Sequence, residues 1–453
     1  MTKKLLLASI VAALGGLLFG FDTAVISGAE GMLRDLYDPQ YAVLSESFGN
    51  NAFWHGFLVA SALIGTIIGS IIFAKPADQF GRRTVLFWMG ALYFISAVGS
   101  AIAWGATPFI IFRFIGGLGV GGASVIAPLY VAEIAPARYR GRMVALVQLN
   151  IVLGILLAYL SNFIIAGLDL GALEWRWMFG VEAFPALAFT LLLFTNPRSP
   201  RWLVAQKRIT EARAVLEAVG TDAGGVDEEI GAIEASLAAS RLSVKEPFFC
   251  KKYMKPILLA VAIAAFNQLS GINALIYYTR RIFEMAGASG TSALLQSVII
   301  GGTNLIVTMA ALAVIDHFGR KRLMLVGSIG YILSLGATAF AFYTETGGPI
   351  ILISLVVFIA SHAFGQGAVI WVFIGEVFPN AVRARGQALG SFVHWIMAAF
   401  ISLMFPMIAE VSGGHIFAFY ALCMVGQLIW VLTVMPETKG VPLEEIQKKL
   451  GIE

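Results

Sequence analysis

The feature that most constrains this chain is a series of apolar stretches, each close to the roughly 20 residues that a helix needs to cross a bilayer. Six precede a central polar segment, at about 5–28, 53–74, 84–104, 107–133, 143–166 and 177–195. Six follow it, near 255–283, 292–316, 322–343, 348–378, 387–409 and 415–435. Backbone groups in lipid must be satisfied internally, and these stretches are too long for barrel strands. The sequence therefore predicts an all-α membrane protein with twelve transmembrane helices.

Composition agrees with this class, because 58% of the residues are hydrophobic and 13% are charged, against about 25% charged in soluble domains. We predict four regions: a six-helix half at 1–197, a cytoplasmic helical linker at 198–254, a second half at 255–436 and a cytoplasmic tail at 437–453. The linker stretches ITEARAVLEAVG and DEEIGAIEASLAAS have the periodicity of amphipathic helices, separated by TDAGGVD.

Basic residues concentrate in the loops that follow the second, fourth, eighth and tenth stretches. The loops near 104–108, 284–292, 343–349 and 410–415 contain no Lys or Arg. By the positive-inside rule, the basic loops, the linker and both termini are cytoplasmic. This topology explains the net charge of +4, so we expect no nucleic-acid partner. The positions of the two cysteines predict neither a disulfide nor a metal site.

The two halves repeat. The loop ADQFGRR at 77–83 recurs as IDHFGRK at 315–321, and AEIAPARYRGR at 132–142 recurs as GEVFPNAVRARG at 375–386. Parallel six-helix repeats place a substrate site near the bilayer midplane, between the repeats. The pattern therefore predicts transport by alternating access.

These repeated loops combine acids with bases, which can build salt bridges that form and break as a cytoplasmic gate closes and opens. The alternative is ordinary positive-inside topology with incidental pairing. The candidate gate residues are Asp78, Arg82, Arg83, Glu133, Arg142, Asp316, Arg320, Glu376 and Arg383.

The seventh stretch contains FNQLSGINALIYY, which offers amides and hydroxyls of the kind that bind sugar hydroxyls. Asn267, Gln268, Asn273 and Tyr278 are the candidates. Gln268 and Asn273 point about 140° apart on a regular helix, so they share a cavity only if the helix is broken or presents a wide face. Gly271 lies between them and would permit a break. The alternative role for such amides is hydrogen bonding between helices.

Asp22 lies inside the first apolar stretch, where an ionisable side chain costs at least roughly 2.5–3.5 kcal/mol on insertion scales. Such a residue normally faces a partner or a watery cavity. Its position predicts a functional role, with proton binding as the first candidate.

Over nearly its full length the chain resembles the sugar porters of the major facilitator superfamily. The matching stretches are FGFDTAVISG, ADQFGRR, RFIGGLGVGGASVIAPLYVAEIAPARYRGR, FNQLSGINALIYY, DHFGRKR, GEVFPNAVRARG and MPETKGVPLEEI. Within the family it is most similar to bacterial D-xylose:proton symporters and more distantly to facilitative glucose transporters. The resemblance implies the superfamily fold and monosaccharide transport, in the bacterial inner membrane.

The resemblance also implies sugar-binding roles for Gln148, Gln268, Asn273, Asn304 and Trp371. Two positions depart from the family: Asn267 stands where the family has Gln, and His394 stands where it has Gln or Asn. The His394 imidazole could replace an amide as donor and acceptor, or could titrate and make sugar affinity depend on pH.

Energy coupling is assigned by resemblance to Asp22, Arg113 and Glu182. We expect protonation of Asp22 to free Arg113 and to permit closure around bound sugar. The alternative is a permanent Asp22–Arg113 pair that only holds helices together. A further departure lies in PRSPR at 197–201, where Arg198 replaces an acid of the family motif.

Facilitators typically have Asn in place of Asp22, so the sequence favours a proton-coupled symporter of pentoses or hexoses over an uncoupled facilitator. A non-transporting sugar receptor is a third possibility, but such receptors usually add a long cytoplasmic tail. We expect no enzyme activity, no metal and no cofactor other than the proton as coupling ion. The expected partners are a monosaccharide, protons and lipid, with a monomer as the functional unit.

Overall fold

The computed structural model describes residues 2–46, 48–136, 138–221, 223–243, 247–379, 382–441 and 443–452, and these form helices without a strand. The first helices are α1 (Lys3–Ser45), α2 (Asn51–Ile72), α3 (Ala74–Phe80), α4 (Arg82–Ile102), α5 (Ala106–Ile134), α6 (Arg140–Ala166), α7 (Glu174–Gly180) and α8 (Ala183–Leu192). Helices α7 and α8 continue each other and, with flanking 3-10 turns, form the sixth membrane span.

The linker forms α9 (Pro200–Ala205), α10 (Ile209–Val219) and α11 (Ala223–Ser243). The expectation that TDAGGVD separates two helices is wrong in part, because α11 begins at Ala223. Helix α10 ends at Gly220, whose φ of 95° is left-handed, so the turn needs few residues. Val226 is buried in a cluster with Trp202 and Leu216, and this burial favours helix through the glycines that precede it. Arg213 of α10 hydrogen-bonds to Asp227 of α11 and holds the pKa of that carboxyl below its usual range.

The remaining helices are α12 (Met254–Leu269), α13 (Ile272–Met285), α14 (Gly290–Phe318), α15 (Arg320–Tyr343), α16 (Pro349–Phe364), α17 (Gln366–Val377), α18 (Arg383–Ala409), α19 (Gly413–Thr433) and α20 (Leu443–Leu450). In the described part of the chain, twelve helical segments are long and apolar enough to cross a membrane, with α12 and α13, and likewise α16 and α17, forming one span each. The predicted all-α, twelve-span fold class is confirmed.

The chain forms two compact units. The first comprises Met1–Thr23, Ser61–Ala158 and Trp175–Glu246, and the second comprises Ala24–Ala60, Tyr159–Glu174 and Pro247–Glu453. Each has its own apolar core, with Met89, Val120 and Tyr130 among the buried residues of the first and Ile263, Phe373 and Val431 among those of the second. The predicted division into four regions at 197, 254 and 436 stays a prediction.

The sequence repeat corresponds to a repeated turn. Gly81 precedes α4 with φ 91° and ψ 149°, and Gly319 precedes α15 with φ 87° and ψ 156°. A residue with a Cβ adopts this region of positive φ only under strain, which explains why both loops have glycine there. The two loops therefore share a backbone conformation as well as a sequence.

The seventh span is broken at Gly271, as the sequence suggested. Helix α12 ends at Leu269 and α13 begins at Ile272, with Gly271 left-handed between them at φ 85°. A Cβ at this position would lie 2.4 Å from the ring of Tyr420. Both the backbone angle and the close approach of the ring therefore require glycine.

We predict that Gly271→Ala lowers the thermal unfolding midpoint in detergent, because a left-handed Ala costs roughly 1–2 kcal/mol and its methyl group meets Tyr420. The matched control is Gly336→Ala within α15, where an added Cβ meets nothing within 4 Å. That change should stabilise the helix by about 0.5–1 kcal/mol. Equal midpoints for the two variants would contradict the role assigned to Gly271.

Candidate functional site

An ion pair lies buried within the first unit. Asp22 of α1 and Arg113 of α5 are each 1% exposed. Arg113 Nη1 donates a hydrogen bond of 2.5 Å to Asp22 Oδ1, and Nη2 donates one of 3.0 Å to the Asp22 backbone oxygen. The guanidinium also lies over the ring of Phe179, 5.4 Å from its centroid. Arg113 is thus held both by the carboxylate and by the backbone of α1.

Glu182 is a second acid in the same place. It is 1% exposed and lies within electrostatic reach of Asp22 and Arg113. Neither of its carboxyl oxygens has a hydrogen-bond partner among the described residues. Two carboxyl groups and one guanidinium cannot all be ionised without leaving a buried net charge, which costs several kcal/mol. The three groups can therefore hold one proton.

An amide cluster surrounds the break at Gly271. Gln268 Nε2 donates to Asn267 Oδ1 at 3.0 Å, and Asn273 Nδ2 donates to Gln268 Oε1 at 2.8 Å across the break. Gln268 Nε2 also lies 3.2 Å from both ring nitrogens of His394. The indole of Trp371 lies beside that imidazole, with ring centroids 5.2 Å apart. Five of the residues predicted to bind sugar are therefore neighbours.

The other three candidates make different contacts. Tyr278 is fully buried, donates to the backbone oxygen of Ser402 at 2.9 Å and stacks on Phe405. Asn304 is 5% exposed on α14 and accepts a 3.4 Å hydrogen bond from Thr308, one turn along the same helix. Gln148 is half-buried on α6, in the first unit.

The acidic and basic side chains of the first repeated loop form a compact cluster. Arg82 Nε donates a 3.1 Å hydrogen bond to Glu133 Oε1, and Arg82 Nη2 lies 2.9 Å from Asp78 Oδ1. Ser199 donates a 2.5 Å hydrogen bond to the other oxygen of Glu133. Arg83 instead donates to two backbone oxygens just beyond the end of α8, both at 3.1 Å.

The second repeat builds the same cluster from equivalent residues. Arg320 donates to one oxygen of Glu376 at 2.8 Å, and Thr438 donates to the other at 2.6 Å. Lys321 reaches the backbone oxygen of Leu432 at 3.3 Å, as Arg83 does near α8. Each Arg–Glu pair lies within one half of the sequence.

Three further gate candidates are not in these clusters. Arg142 is exposed at the start of α6 and forms no ion pair among the described residues. Two guanidinium nitrogens of Arg383 are buried and lack a hydrogen-bond partner in the part of the chain that the structure describes. The side chain of Asp316 lies outside the described residues.

Among the described residues, the two clusters differ at the position of Glu437. Glu437 accepts hydrogen bonds of 3.0 Å from the backbone N–H groups of Arg320 and Lys321, at the positive N-terminus of α15. Arg198 takes the corresponding place in the first repeat, two residues before the start of α9, and its guanidinium lies 5.0 Å from the centroid of the Trp202 ring. The departure seen in PRSPR therefore replaces a helix-capping carboxylate with a cation stacked on an indole.

Sequence reasoning missed a second buried ionic cluster, formed by Glu30, His55 and Arg281 in the second unit. Glu30 Oε1 lies 2.8 Å from His55 Nε2 and accepts a 3.1 Å hydrogen bond from Arg281 Nη1. Glu30 lies two residues beyond the first predicted stretch, 5–28, and belongs to the same long helix α1 as Asp22.

We predict that Glu437→Gln lowers the free energy of unfolding by about 0.3–1 kcal/mol, because the carboxylate charge at the α15 N-terminus is lost. Thermal unfolding in detergent at low and high salt measures this, and salt should shrink the difference. The control is Glu410→Gln, an exposed acid just after α18, with an expected effect within about 0.5 kcal/mol. An unchanged midpoint for Glu437→Gln would show that the hydrogen bonds, not the charge, matter.

The sequence of this chain matches a known family of membrane proteins. The sequence model described as "Sugar (and other) transporter" matches residues 8–450. The chain is 37% identical to the "D-xylose-proton symporter" of Escherichia coli K12, over 97% of this chain and 94% of that one. It is 34% identical to the "Arabinose-proton symporter" of Bacillus subtilis, over 98% and 94% of the two chains.

Solved structures agree. The xylose transporter XylE from E. coli, in a partially occluded inward-open conformation, matches with a TM-score of 0.86 and 34% identity, over 97% of this chain and all of that chain. The fold is that of the major facilitator superfamily, whose members transport solutes and are not enzymes. This chain belongs to the sugar transporter family of that superfamily.

Proposed function

We propose that this protein is a proton-coupled symporter of a monosaccharide, a pentose or hexose, and that it works by alternating access. The observation that carries the proposal is the buried site of Asp22, Arg113 and Glu182, which can hold one proton. The relatives named as D-xylose and arabinose symporters with protons support it.

Coupling follows from the electrostatics of that site. When Asp22 is ionised, its attraction to Arg113 is strong because both groups are shielded from water. Protonation removes the charge and weakens the bonds that fix the guanidinium to α1. Arg113 can then turn toward Glu182, whose oxygens have no other hydrogen-bond partner among the described residues. The pair is thus a two-state element that proton binding can shift.

The amide cluster is the proposed sugar site. Asn267, Gln268 and Asn273 now bond to one another, and sugar hydroxyls can take over these bonds with little loss. Trp371 offers an aromatic face to the apolar side of the ring. His394 replaces the family amide as a hydrogen-bonding neighbour of Gln268. We propose that Gln148 and Asn304 also contribute, and that Tyr278 supports the site through its bond to Ser402.

The repeated charge clusters are proposed to act at the cytoplasmic side. Arg82 with Glu133, and Arg320 with Glu376, each tie neighbouring helix ends together within one half. Such ties let each half move as a rigid body. The role of these residues, together with Asp78, Arg83 and Asp316, as a gate between halves stays a prediction.

The uncoupled facilitator is the second candidate, since one similar relative, the "Glucose transport protein" of Synechocystis, has a name without a coupling ion and is 36% identical over 98% of this chain. The buried carboxyl group of Asp22 disfavours this candidate. An ionisable group inside the membrane costs free energy, and uncoupled transport does not require a proton-binding residue. We further propose that this multi-pass membrane protein lies in a bacterial inner membrane with both termini cytoplasmic, and that a monomer suffices for transport.

The coupling proposal predicts that Asp22→Asn abolishes sugar accumulation against a gradient, while counterflow exchange remains within several-fold of wild type. The amide keeps the shape of the carboxyl group but cannot bind a proton. Uptake of labelled sugar by energised vesicles, compared with exchange in de-energised ones, measures this. Asp35→Asn is the matched control, because Asp35 lies on the same helix with its side chain 74% exposed. Retained accumulation in Asp22→Asn would refute the coupling role.

The sugar site predicts that Gln268→Ala raises the sugar KM by about twofold to a hundredfold, because one to two hydrogen bonds of about 0.5–1.5 kcal/mol each are lost. Gln427→Ala is the control, since Gln427 is a fully buried amide bonded to Gln366 and Ser328. It should lower the unfolding midpoint and leave KM unchanged. A similar KM in both variants would indicate that Gln268 only connects helices.

A further inference from the structure

The second buried ionic cluster joins three helices. Glu30 of α1, His55 of α2 and Arg281 of α13 are 2%, 1% and 8% exposed. One carboxyl oxygen of Glu30 is within hydrogen-bond distance of both partners, at 2.8 Å and 3.1 Å. The hydroxyl of Tyr41 lies 3.4 Å from the other imidazole nitrogen of His55. Neither the proposed proton site nor the sugar cluster includes these residues.

The cluster connects the helices that carry the two proposed binding functions. Glu30 lies eight residues beyond Asp22 along α1, and Arg281 lies eight residues beyond Asn273 along α13. Helix α13 is the short segment that begins after the break at Gly271. The ionic contact between α1 and α13 is therefore eight residues from the proton site along α1. Along α13 it is eight residues from the sugar cluster, with the non-helical residue Tyr278 between them (φ −121°, ψ 22°).

Neighbouring hydrogen bonds join the same two helices. Arg280 Nη1 donates to the backbone oxygen of Gly28 at 2.6 Å, and its backbone N–H donates to Ser27 Oγ at 3.3 Å. A third bond joins α13 to α6 instead, where Tyr159 donates to the backbone oxygen of Ile276 at 2.9 Å. The contact between α1 and α13 therefore includes two hydrogen bonds from Arg280 beside the ion pair of Glu30 and Arg281.

We propose that Glu30, His55 and Arg281 form an ionic joint between α1 and α13 that holds the non-cytoplasmic side closed and breaks when that side opens. The inference rests on the proposed alternating-access function. Helices α1 and α2 come from the first sequence repeat and α13 from the second, so opening between the repeats must separate them. The three are positioning residues and do not touch sugar.

Burial makes this joint act as a switch. Partial separation leaves charges unpaired at low dielectric, whereas full opening lets water solvate them. Intermediate positions are therefore disfavoured, and the joint sets the balance between the closed and open states. Weakening it should raise the population of the outward-open state.

The test uses a cysteine at the joint. Ser27→Cys, in a background of Cys250→Ser and Cys423→Ser, places a thiol at a position that is 1% exposed beside Arg280. The double variant Glu30→Gln with Arg281→Gln removes both charges, so that neither charged partner remains buried without the other. We expect a membrane-impermeant maleimide, added outside right-side-out vesicles, to label this thiol about fivefold faster or more than in the parent with Glu30 and Arg281 intact. An unchanged rate would overturn the proposal, and this readout does not depend on any sugar being transported.

Two controls separate the joint from general loosening. Glu284→Gln removes a carboxylate that lies 2.7 Å from Arg280 within α13 alone, and it should leave the labelling rate unchanged. Arg281→Lys keeps the charge and should label close to the parent rate. Faster labelling in all variants alike would show a merely structural role and would also count against the joint.

Transport gives an independent readout. Uptake of labelled D-xylose or D-glucose is measured for the variant with Glu30→Gln and Arg281→Gln. Its KM should be at least about threefold lower than that of the wild type in right-side-out vesicles and higher in inside-out vesicles. The reason is that apparent affinity follows the population of the open state. If the wild type takes up neither sugar, the proposed function is refuted. The maleimide labelling rates would still test the ionic joint, because they do not depend on transport.

Discussion

A charge buried in a membrane helix must be paired or neutral, and the contact between Asp22 and Arg113 meets this requirement in the first unit. The guanidinium is held by the carboxylate and by the backbone of α1, so its position depends on the charge of one acid. Glu182 offers a second acid without its own hydrogen-bond partner among the described residues. In the proposed coupling, one proton bound at this site repositions the buried guanidinium.

The internal repeat extends from sequence to side-chain chemistry. Both repeats use a left-handed glycine to start a helix, an Arg–Glu pair and a hydroxyl on the same carboxylate. Arg198 and Glu437 occupy corresponding places in the two repeats but make different contacts. The carboxylate stabilises the start of α15, and in the first repeat an arginine stacks on Trp202 instead.

Much of this structure could be predicted because a helix that crosses the bilayer must be apolar and about 20 residues long. Long apolar stretches became spans whose ends differ by a few residues from those expected, apart from α1, which runs on to Ser45, and the break at Gly271 followed from the geometry of Gln268 and Asn273. The start of α11 was missed because burial of Val226 outweighs the glycines before it.

The pairing of residues far apart in sequence was harder to predict. The amides of the seventh span and His394 meet only because α12 and α18 pack together, and no local pattern reports that contact. Tyr278 was assigned to sugar from its residue type, yet its hydroxyl bonds to a backbone oxygen. The cluster of Glu30, His55 and Arg281 had a signal, a buried acid in an apolar helix, but its partners lie on two other helices.

The central claim is that sugar and a proton cross together. The most direct measurement is the pH of a weakly buffered medium around de-energised cells that contain the protein, when D-xylose, D-glucose or an L-sugar control is added. The account predicts that the medium becomes alkaline with a transported D-sugar and not with the L-sugar. Labelled D-sugar uptake without any rise in external pH would contradict it and make the protein a facilitator.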